Sequence, residues 1–152
     1  MSIISDVPWS APDCVFATDA CLTGCGGICG NMVFHAQFPD WVLQQFPAIH
    51  QLEFLALLTA VRLWGLRWAG LRVQVYCDNT AVVNVINSGK TSDLLMGKIL
   101  RNTWLVISSQ EFASWHLDVV KYSSLFAAEC GDAGSIKEEI VTDELFALNS
   151  DL

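Results

Sequence analysis

Three carboxylate residues occur where the surrounding chain is apolar. Asp19 ends the apolar stretch 15–18, Glu53 interrupts an apolar helical pattern, and Asp78 follows the apolar stretch 73–77. A buried carboxylate is strongly disfavoured unless it is paired or bound to a metal ion. Hard oxygen ligands of this type suit Mg²⁺ or Mn²⁺, and a pair of such ions activates water and stabilises the leaving oxygen of a phosphodiester. The residue types therefore favour metal-dependent phosphodiester chemistry.

Each of these acids, taken alone, has a simpler explanation. Asp78 could cap a helix that begins at Asn79-Thr80, and Glu53 could lie with Gln51 on an exposed strip of its helix. Asp19 could be a solvated strand end. The order strand, helix, strand places all three in one βαβ-type neighbourhood, where strand ends and a helix face can converge. Together they favour a site.

The first half of the chain predicts three strands, a long helix and a fourth strand. Residues 14–18, 24–30 and 32–38 are short, apolar and compatible with β-structure, with a turn at Gly30-Asn31 between the second and third. Apolar residues at helical spacing predict a helix over 49–70, and residues 71–77 then read as a buried strand. A strand after such a helix implies a right-handed crossover onto a parallel neighbour. The predicted fold class is α/β or α+β.

The second half predicts further helices and one more strand. Residues 79–87 favour a short helix, Ser92 is placed to cap a longer one, and residues 111–117 read as a last strand. Ser135 and Glu138 match a capping box, which predicts a terminal amphipathic helix.

Three motifs in order are distinctive beyond these patterns. They are Thr18-Asp19-Ala20 with Gly24-Cys25-Gly26-Gly27, then Ile49-His50-Gln51-Leu52-Glu53-Phe54-Leu55-Ala56, and then Val75-Tyr76-Cys77-Asp78-Asn79-Thr80-Ala81-Val82-Val83 with Ile86-Asn87. The set resembles the ribonuclease H domains of retrotransposon reverse transcriptases, especially those of tyrosine-recombinase and related long-terminal-repeat elements. The resemblance spans residues 14–117.

The resemblance implies a ribonuclease H-like fold, a five-stranded mixed sheet flanked by helices. It also implies metal-dependent cleavage of the RNA strand of RNA/DNA hybrids by two ions, Mg²⁺ or Mn²⁺. Asp19 would bridge both metals, with Glu53 and Asp78 as further ligands, and Asn79 would support the site or touch substrate. A reverse transcriptase domain in a parent polyprotein is the protein partner that the resemblance implies.

The chain departs from the family pattern after the fifth strand. Such domains continue with a His-x-Pro-Gly-like loop and an Ala-Asp pair whose Asp is the fourth metal ligand, whereas here His116-Leu117 leads into 118–121. Glu129 is the candidate fourth ligand, with Asp118 and Asp132 as weaker substitutes. We therefore divide the chain into an N-terminal extension 1–13, a ribonuclease H-like core 14–117 and a diverged acidic segment 118–152.

The absence of the family's pattern after the fifth strand leaves a second hypothesis open. A catalytically impaired ribonuclease H-like module would keep the fold and bind nucleic acid or a protein partner through the surface of residues 54–110. A third hypothesis is an integrase-type nuclease that acts on DNA. The position of Glu53 on the first long helix argues against it, because such enzymes typically take their last acid from a later helix.

Charge is distributed unevenly along the chain. The formal net charge of −8 argues against binding of nucleic acid by the whole surface. Residues 54–110 nevertheless carry six basic residues against two acids. The polar loop 87–92 is of the kind that contacts phosphates through backbone N–H groups and lysine, which makes Ser88 and Lys90 candidate substrate-binding residues.

Location and cysteine usage follow from composition. No apolar run approaches the roughly 20 residues that a membrane helix needs, and no secretory signal is visible, so we expect an intracellular protein, nuclear or cytoplasmic, with no membrane partner. Reduced thiols and no disulfides are then expected for the six cysteines. Cys21, Cys25 and Cys29 lack a CxxC pair, so small buried thiols explain them better than a zinc site.

Overall fold

The computed structural model describes residues 12–68, 70–109, 116–121 and 136–149. Its strands are β1 Cys14–Ala20, β2 Gly24–Cys29, β3 Met32–Gln37, β4 Arg72–Cys77, β5 His116–Lys121 and β6 Lys137–Glu138. Its α-helices are α1 Asp40–Gln45, α2 Ile49–Trp64, α3 Thr80–Ser88 and α4 Leu94–Ser109. Within the described ranges, no helix is both long enough and apolar enough to span a membrane.

The strands form one mixed sheet in the order β5-β4-β1-β2-β3-β6. β1, β2 and β3 pair antiparallel, while β4 lies parallel to β1 and β5 lies parallel to β4. This is the predicted five-stranded mixed sheet with flanking helices. The two-residue strand β6 adds a sixth member at the edge, parallel to β3.

Helix α2 lies at the centre of the molecule and has almost no solvated face. Every residue from Gln51 to Val61 is buried, because the helix packs on β1 and β2 and is covered by α3 and α4. A helix that is apolar all round is stable only when buried in this way. Beyond Trp64 the chain tightens into a 3₁₀ turn that ends at Trp68, whose ring stacks on Phe16 with centroids 4.6 Å apart. The α-helix is therefore shorter than the predicted 49–70.

Helices α3 and α4 are capped by residues other than those considered from the sequence. The Asn79 side chain accepts a hydrogen bond from the Val82 N–H at 3.2 Å, so Asn79, rather than Asp78, caps α3. Asp93 replaces the expected Ser92 as the cap of α4, since its Oδ1 accepts from the N–H groups of the second and third helical residues at 2.9 and 3.1 Å. Asp78 is thereby released from a capping role.

Asp93→Ala is expected to lower the free energy of unfolding by about 1–2 kcal/mol, because it removes the cap of α4. The same carboxylate also binds α2, through His50 Nε2 at 3.0 Å and Gln51 Nε2 at 3.2 Å. Urea unfolding at neutral pH measures the change. Ser92→Ala is the matched control and should stay within about 0.5 kcal/mol of the parent chain. Equal losses in the two variants would contradict the capping assignment.

The end of the chain differs from the sequence prediction. The predicted terminal amphipathic helix is wrong for residues 136–149, which form β6 and a single 3₁₀ turn at Asp143–Phe146. The Lys137 and Glu139 N–H groups donate to carbonyls on the β3 edge, both at 2.7 Å. Pairing with an open sheet edge satisfies the backbone here and overrides a weak local preference for helix.

The fifth strand extends beyond its predicted end. The sequence predicted residues 111–117, and β5 spans His116–Lys121, so the strand continues past the expected end of the core. Residues 111–115 lie outside the described part of the chain. The division into segments 1–13, 14–117 and 118–152 remains a prediction.

Candidate active site

Two of the predicted site residues stand at the carboxyl ends of neighbouring parallel strands. Ala17 of β1 is level with Tyr76 of β4, and continuing this register by two residues brings Asp19 level with Asp78. Neighbouring strands lie about 4.8 Å apart, so the two carboxylates share one edge of the sheet. Both residues are exposed.

Glu53 reaches the same place from helix α2. The residue is 5% exposed, and one oxygen of each carboxylate in the Asp19, Glu53 and Asp78 group lies within 4.8 Å of the others. This burial excludes the alternative in which Glu53 shares an exposed strip with Gln51. Gln51 is itself buried, and its amide is used in hydrogen bonds to the Ala48 N–H and to Asp93.

The electrostatics of the cluster disfavour a charged Glu53 when no cation is bound. Burial, followed by the negative charges of Asp78 and Asp19, raises the pKa of Glu53 to about 8. Its Oε2 is buried and has no hydrogen-bond partner among the described residues. An unsatisfied oxygen on one carboxylate of this group fits a hard divalent cation, which supplies both a ligand partner and a compensating charge. The donor set fits Mg²⁺ or Mn²⁺.

The nearby thiols do not contribute to this cluster. Burial raises the pKa of Cys25 to about 12 and that of Cys77 to about 11, so both are protonated at neutral pH. Cys21 is exposed on the turn after β1. Within the described ranges, the group able to hold a metal ion consists of the three carboxylates and includes no cysteine.

A groove of about 520 Å³ begins at Asp19 and crosses β2 and β3. Its lining includes small residues, among them Gly24 and Gly26 of β2, and His35 and Gln37 of β3. Sequence reasoning did not connect His35 and Gln37 with the carboxylates, because the connection depends on the register of β2 against β1 and of β3 against β2. The groove gives an extended ligand direct access to the exposed edge of the carboxylate cluster.

The other predicted site residues are more dispersed. Asn79 follows Asp78 directly, but its side-chain oxygen is occupied by the cap of α3. Ser88 ends α3 at the opposite end from Asp78, and Lys90 follows two residues later; the nine residues of the helix correspond to about 13 Å. There the Ser88 hydroxyl donates to the Lys90 carbonyl at 3.1 Å. These two residues are therefore outside the carboxylate cluster.

The structure describes one of the three candidates for the fourth metal ligand. Glu129 and Asp132 lie outside the described residues. Asp118 is level with Gln74 in the β4–β5 register, four residues before Asp78 along the strand direction. At about 3.3 Å per residue this is about 13 Å from the level of Asp78, so Asp118 is not placed to complete the cluster.

Two of the basic residues of the 54–110 region hold the C-terminal segment. The Arg62 guanidinium donates to the carbonyls of Leu145 and Ala147 at 2.7 and 2.6 Å, and Arg67 pairs with Glu139 at 3.4 Å. They are therefore structural rather than part of a free basic surface.

Comparison with known proteins supports the fold. No protein-family model matches the chain, and no curated protein matches it. Among solved structures, it is similar to RNase H1 from the halophilic archaeon Halobacterium salinarum NRC-1, with a TM-score of 0.54 and 8% sequence identity. The match covers 78% of this chain and 91% of that chain. At this identity the similarity shows the fold alone, and it confirms the ribonuclease H-like α+β architecture.

Proposed function

We propose that this chain is a ribonuclease H-type endonuclease that cleaves the RNA strand of RNA/DNA hybrids with Mg²⁺ or Mn²⁺. The observation that carries the proposal is the convergence of Asp19, Glu53 and Asp78 with a buried, unpartnered Glu53 oxygen. The likeness of the fold to an RNase H1 supports the same conclusion. The motifs around the three acids favour a retroelement origin, with a reverse transcriptase domain as the partner in the parent polyprotein.

The three acids would hold the metal ions from two sides. Asp19 and Asp78 offer exposed carboxylates at the open edge of the sheet, where a phosphodiester can approach, and Glu53 offers an oxygen from the buried side. Bound divalent ions supply Lewis acidity and activate water for attack on phosphorus. Because Glu53 is buried, the packing of α2 fixes the position of its carboxylate.

The substrate is placed by the surfaces around the cluster. We assign the groove beside Asp19 to the RNA strand, because the small residues in its lining leave room for a sugar-phosphate backbone. Ser88 and Lys90, about one helix length away, are suited to phosphates of the opposite strand, since a duplex extends well beyond the scissile bond. Helix α4 carries two further basic residues, Lys98 and Arg101.

Cleavage of a labelled RNA/DNA hybrid by the purified chain in Mg²⁺ or Mn²⁺ tests the proposal. We expect cleavage that EDTA abolishes and that Asp19→Asn and Asp78→Asn each reduce by at least about 100-fold, because each variant removes a charged ligand. Asp40→Asn, which changes an exposed acid of α1, is the matched control and should retain full activity.

The outcomes separate the alternatives. Binding of the hybrid without cleavage by folded protein would contradict the proposal and favour the impaired binding module. Equal cleavage of duplex DNA would favour the integrase-type hypothesis. If cleavage is found, Glu129→Gln tests whether Glu129 serves as the fourth ligand.

A further inference from the structure

Cys14 and Cys29 face one another across the first two strands. Their Sγ atoms are 3.3 Å apart, although 15 residues separate them in the chain. The antiparallel register pairs Ala17 with Ile28, so Phe16 comes next to Cys29 and Cys14 lies diagonally across from it. Side chains alternate between the faces of a strand, so Cys14 and Phe16 share a face. The sheet itself brings the two sulfurs together.

The two thiols differ in their access to solvent, and the pKa of Cys14 is shifted. Cys14 is half-buried, while Cys29 is 4% exposed. Hydrogen bonds from the Cys29 thiol and from the Trp68 side chain lower the pKa of Cys14. The thiols of Cys25 and Cys77 have the opposite behaviour, since burial raises their pKa values. Cys14 therefore combines partial access to solvent with a lowered pKa, the two properties that favour reaction of a cysteine.

We propose that Cys14 and Cys29 form a reversible redox pair that closes to a disulfide under peroxide. The Cys14 thiolate attacks the O–O bond of hydrogen peroxide, which gives a sulfenic acid and releases hydroxide. The Cys29 sulfur then attacks the Cys14 sulfur, and the sulfenic hydroxyl leaves as water. Overall, two thiols and one peroxide give one disulfide and two waters, and an external dithiol reverses the reaction by exchange. This proposal is independent of the nuclease assignment.

The approach that the bond requires is small. A disulfide bond is about 2.05 Å long, so the two sulfurs must come closer by little more than 1 Å. Both residues lie at strand ends, where Cys14 begins β1 and Cys29 precedes the turn at Gly30. Strand ends adjust more readily than strand centres.

The Cys14–Cys29 disulfide would change the stability of the protein more than the geometry of the carboxylate cluster. Cys14 is five residues before Asp19 on the same strand, which corresponds to about 17 Å. Closing the loop between the two cysteines restricts the unfolded chain. We expect the oxidised protein to melt several degrees higher than the reduced protein, with the hairpin of β1 and β2 stapled at its open end.

Peptide mapping of the full chain after mild oxidation tests the proposal. The folded protein is treated with about one equivalent of hydrogen peroxide, alkylated and digested, and the peptides are identified by mass spectrometry. We expect a linked peptide that joins Cys14 to Cys29, lower in mass by two hydrogens, protected from alkylation and released by dithiothreitol. Cys21 is exposed and has a lowered pKa, so it competes with Cys14 for peroxide, and the mapping is therefore repeated on the Cys21→Ser variant.

Variants make the assignment specific. Cys29→Ala should abolish the linked peptide and the rise in melting temperature, whereas Cys21→Ser should leave both unchanged. The mapping of the parent chain needs no variant, so it decides the question even if Cys29→Ala folds poorly. Oxidation of Cys14 to sulfinic acid without a link to Cys29, or a link from Cys14 to another cysteine, would overturn the proposal.

Discussion

Glu53→Gln is expected to stabilise the protein above about pH 8 while it abolishes hybrid cleavage. The folded-state pKa of Glu53 is about 8 against an ordinary value of 4.5. Below pH 4.5 the residue is protonated in both states and costs nothing. As pH rises from 4.5 to 8, the unfolded chain releases the proton first, so the parent protein loses stability that the glutamine variant keeps. The difference reaches on the order of 3–5 kcal/mol above pH 8.

Urea unfolding of both proteins in EDTA between pH 4 and pH 9 measures this effect. Glu144→Gln, at an exposed acid of the C-terminal 3₁₀ turn, is the control and should show no difference that grows with pH. Parallel curves for the parent and Glu53→Gln would mean that Glu53 is not held in a low-dielectric site.

Metal binding should reverse the order of stability of the parent protein and the Glu53→Gln variant. A divalent cation beside Glu53 would replace the missing partner of Oε2, so we expect Mg²⁺ to bind the folded parent protein and to raise its melting temperature. The glutamine variant lacks the negative charge and should gain much less. The residue that weakens the metal-free fold is thus the one that the proposed activity requires.

Phe146→Ala is expected to lower the free energy of unfolding by about 3–5 kcal/mol. The ring is 1% exposed and meets Phe38 edge to face with centroids 5.4 Å apart. The backbone around it is held by Arg62, which donates to the carbonyls on both sides, and by the Asn102 side chain, which accepts from the Asn149 N–H at 2.8 Å. Loss of the ring leaves a cavity that this anchored segment cannot readily close.

Thermal and urea unfolding measure the Phe146→Ala effect, which corresponds to a fall in melting temperature of roughly 10 °C. Ile140→Ala is the matched control from the same segment, since Ile140 is 83% exposed, and it should change the free energy of unfolding by less than about 0.5 kcal/mol. A change below 1 kcal/mol for Phe146→Ala would mean that residues 143–149 add little to the core.

The sequence predicted the elements of the core with small errors in their ends. The strands β1 to β4 and the helices α2, α3 and α4 leave local signatures, because period 2 or 3.6 is visible within a short window. Helix α1, with six residues, was too short to leave such a signature. The terminal helix was wrong because its first residues, Lys137 and Glu138, pair with β3, a partner about a hundred positions away that no local pattern reveals.

The candidate site also combines features that the sequence predicts with features that only the tertiary structure determines. The sequence alone determined that Asp19, Glu53 and Asp78 are acids at apolar positions, on a strand, a helix and a strand in that order, and this was sufficient to predict a shared site. The tertiary structure decided that their oxygens meet within 4.8 Å, that Glu53 is buried while Asp19 and Asp78 are exposed, and that Cys14 lies against Cys29. These features depend on strand register and helix placement, which are set by contacts between residues distant in sequence. The spacing of residues along the chain determines whether a segment prefers helix or strand. The distances between side chains of different segments are fixed only when the strands pair and α2 packs against the sheet.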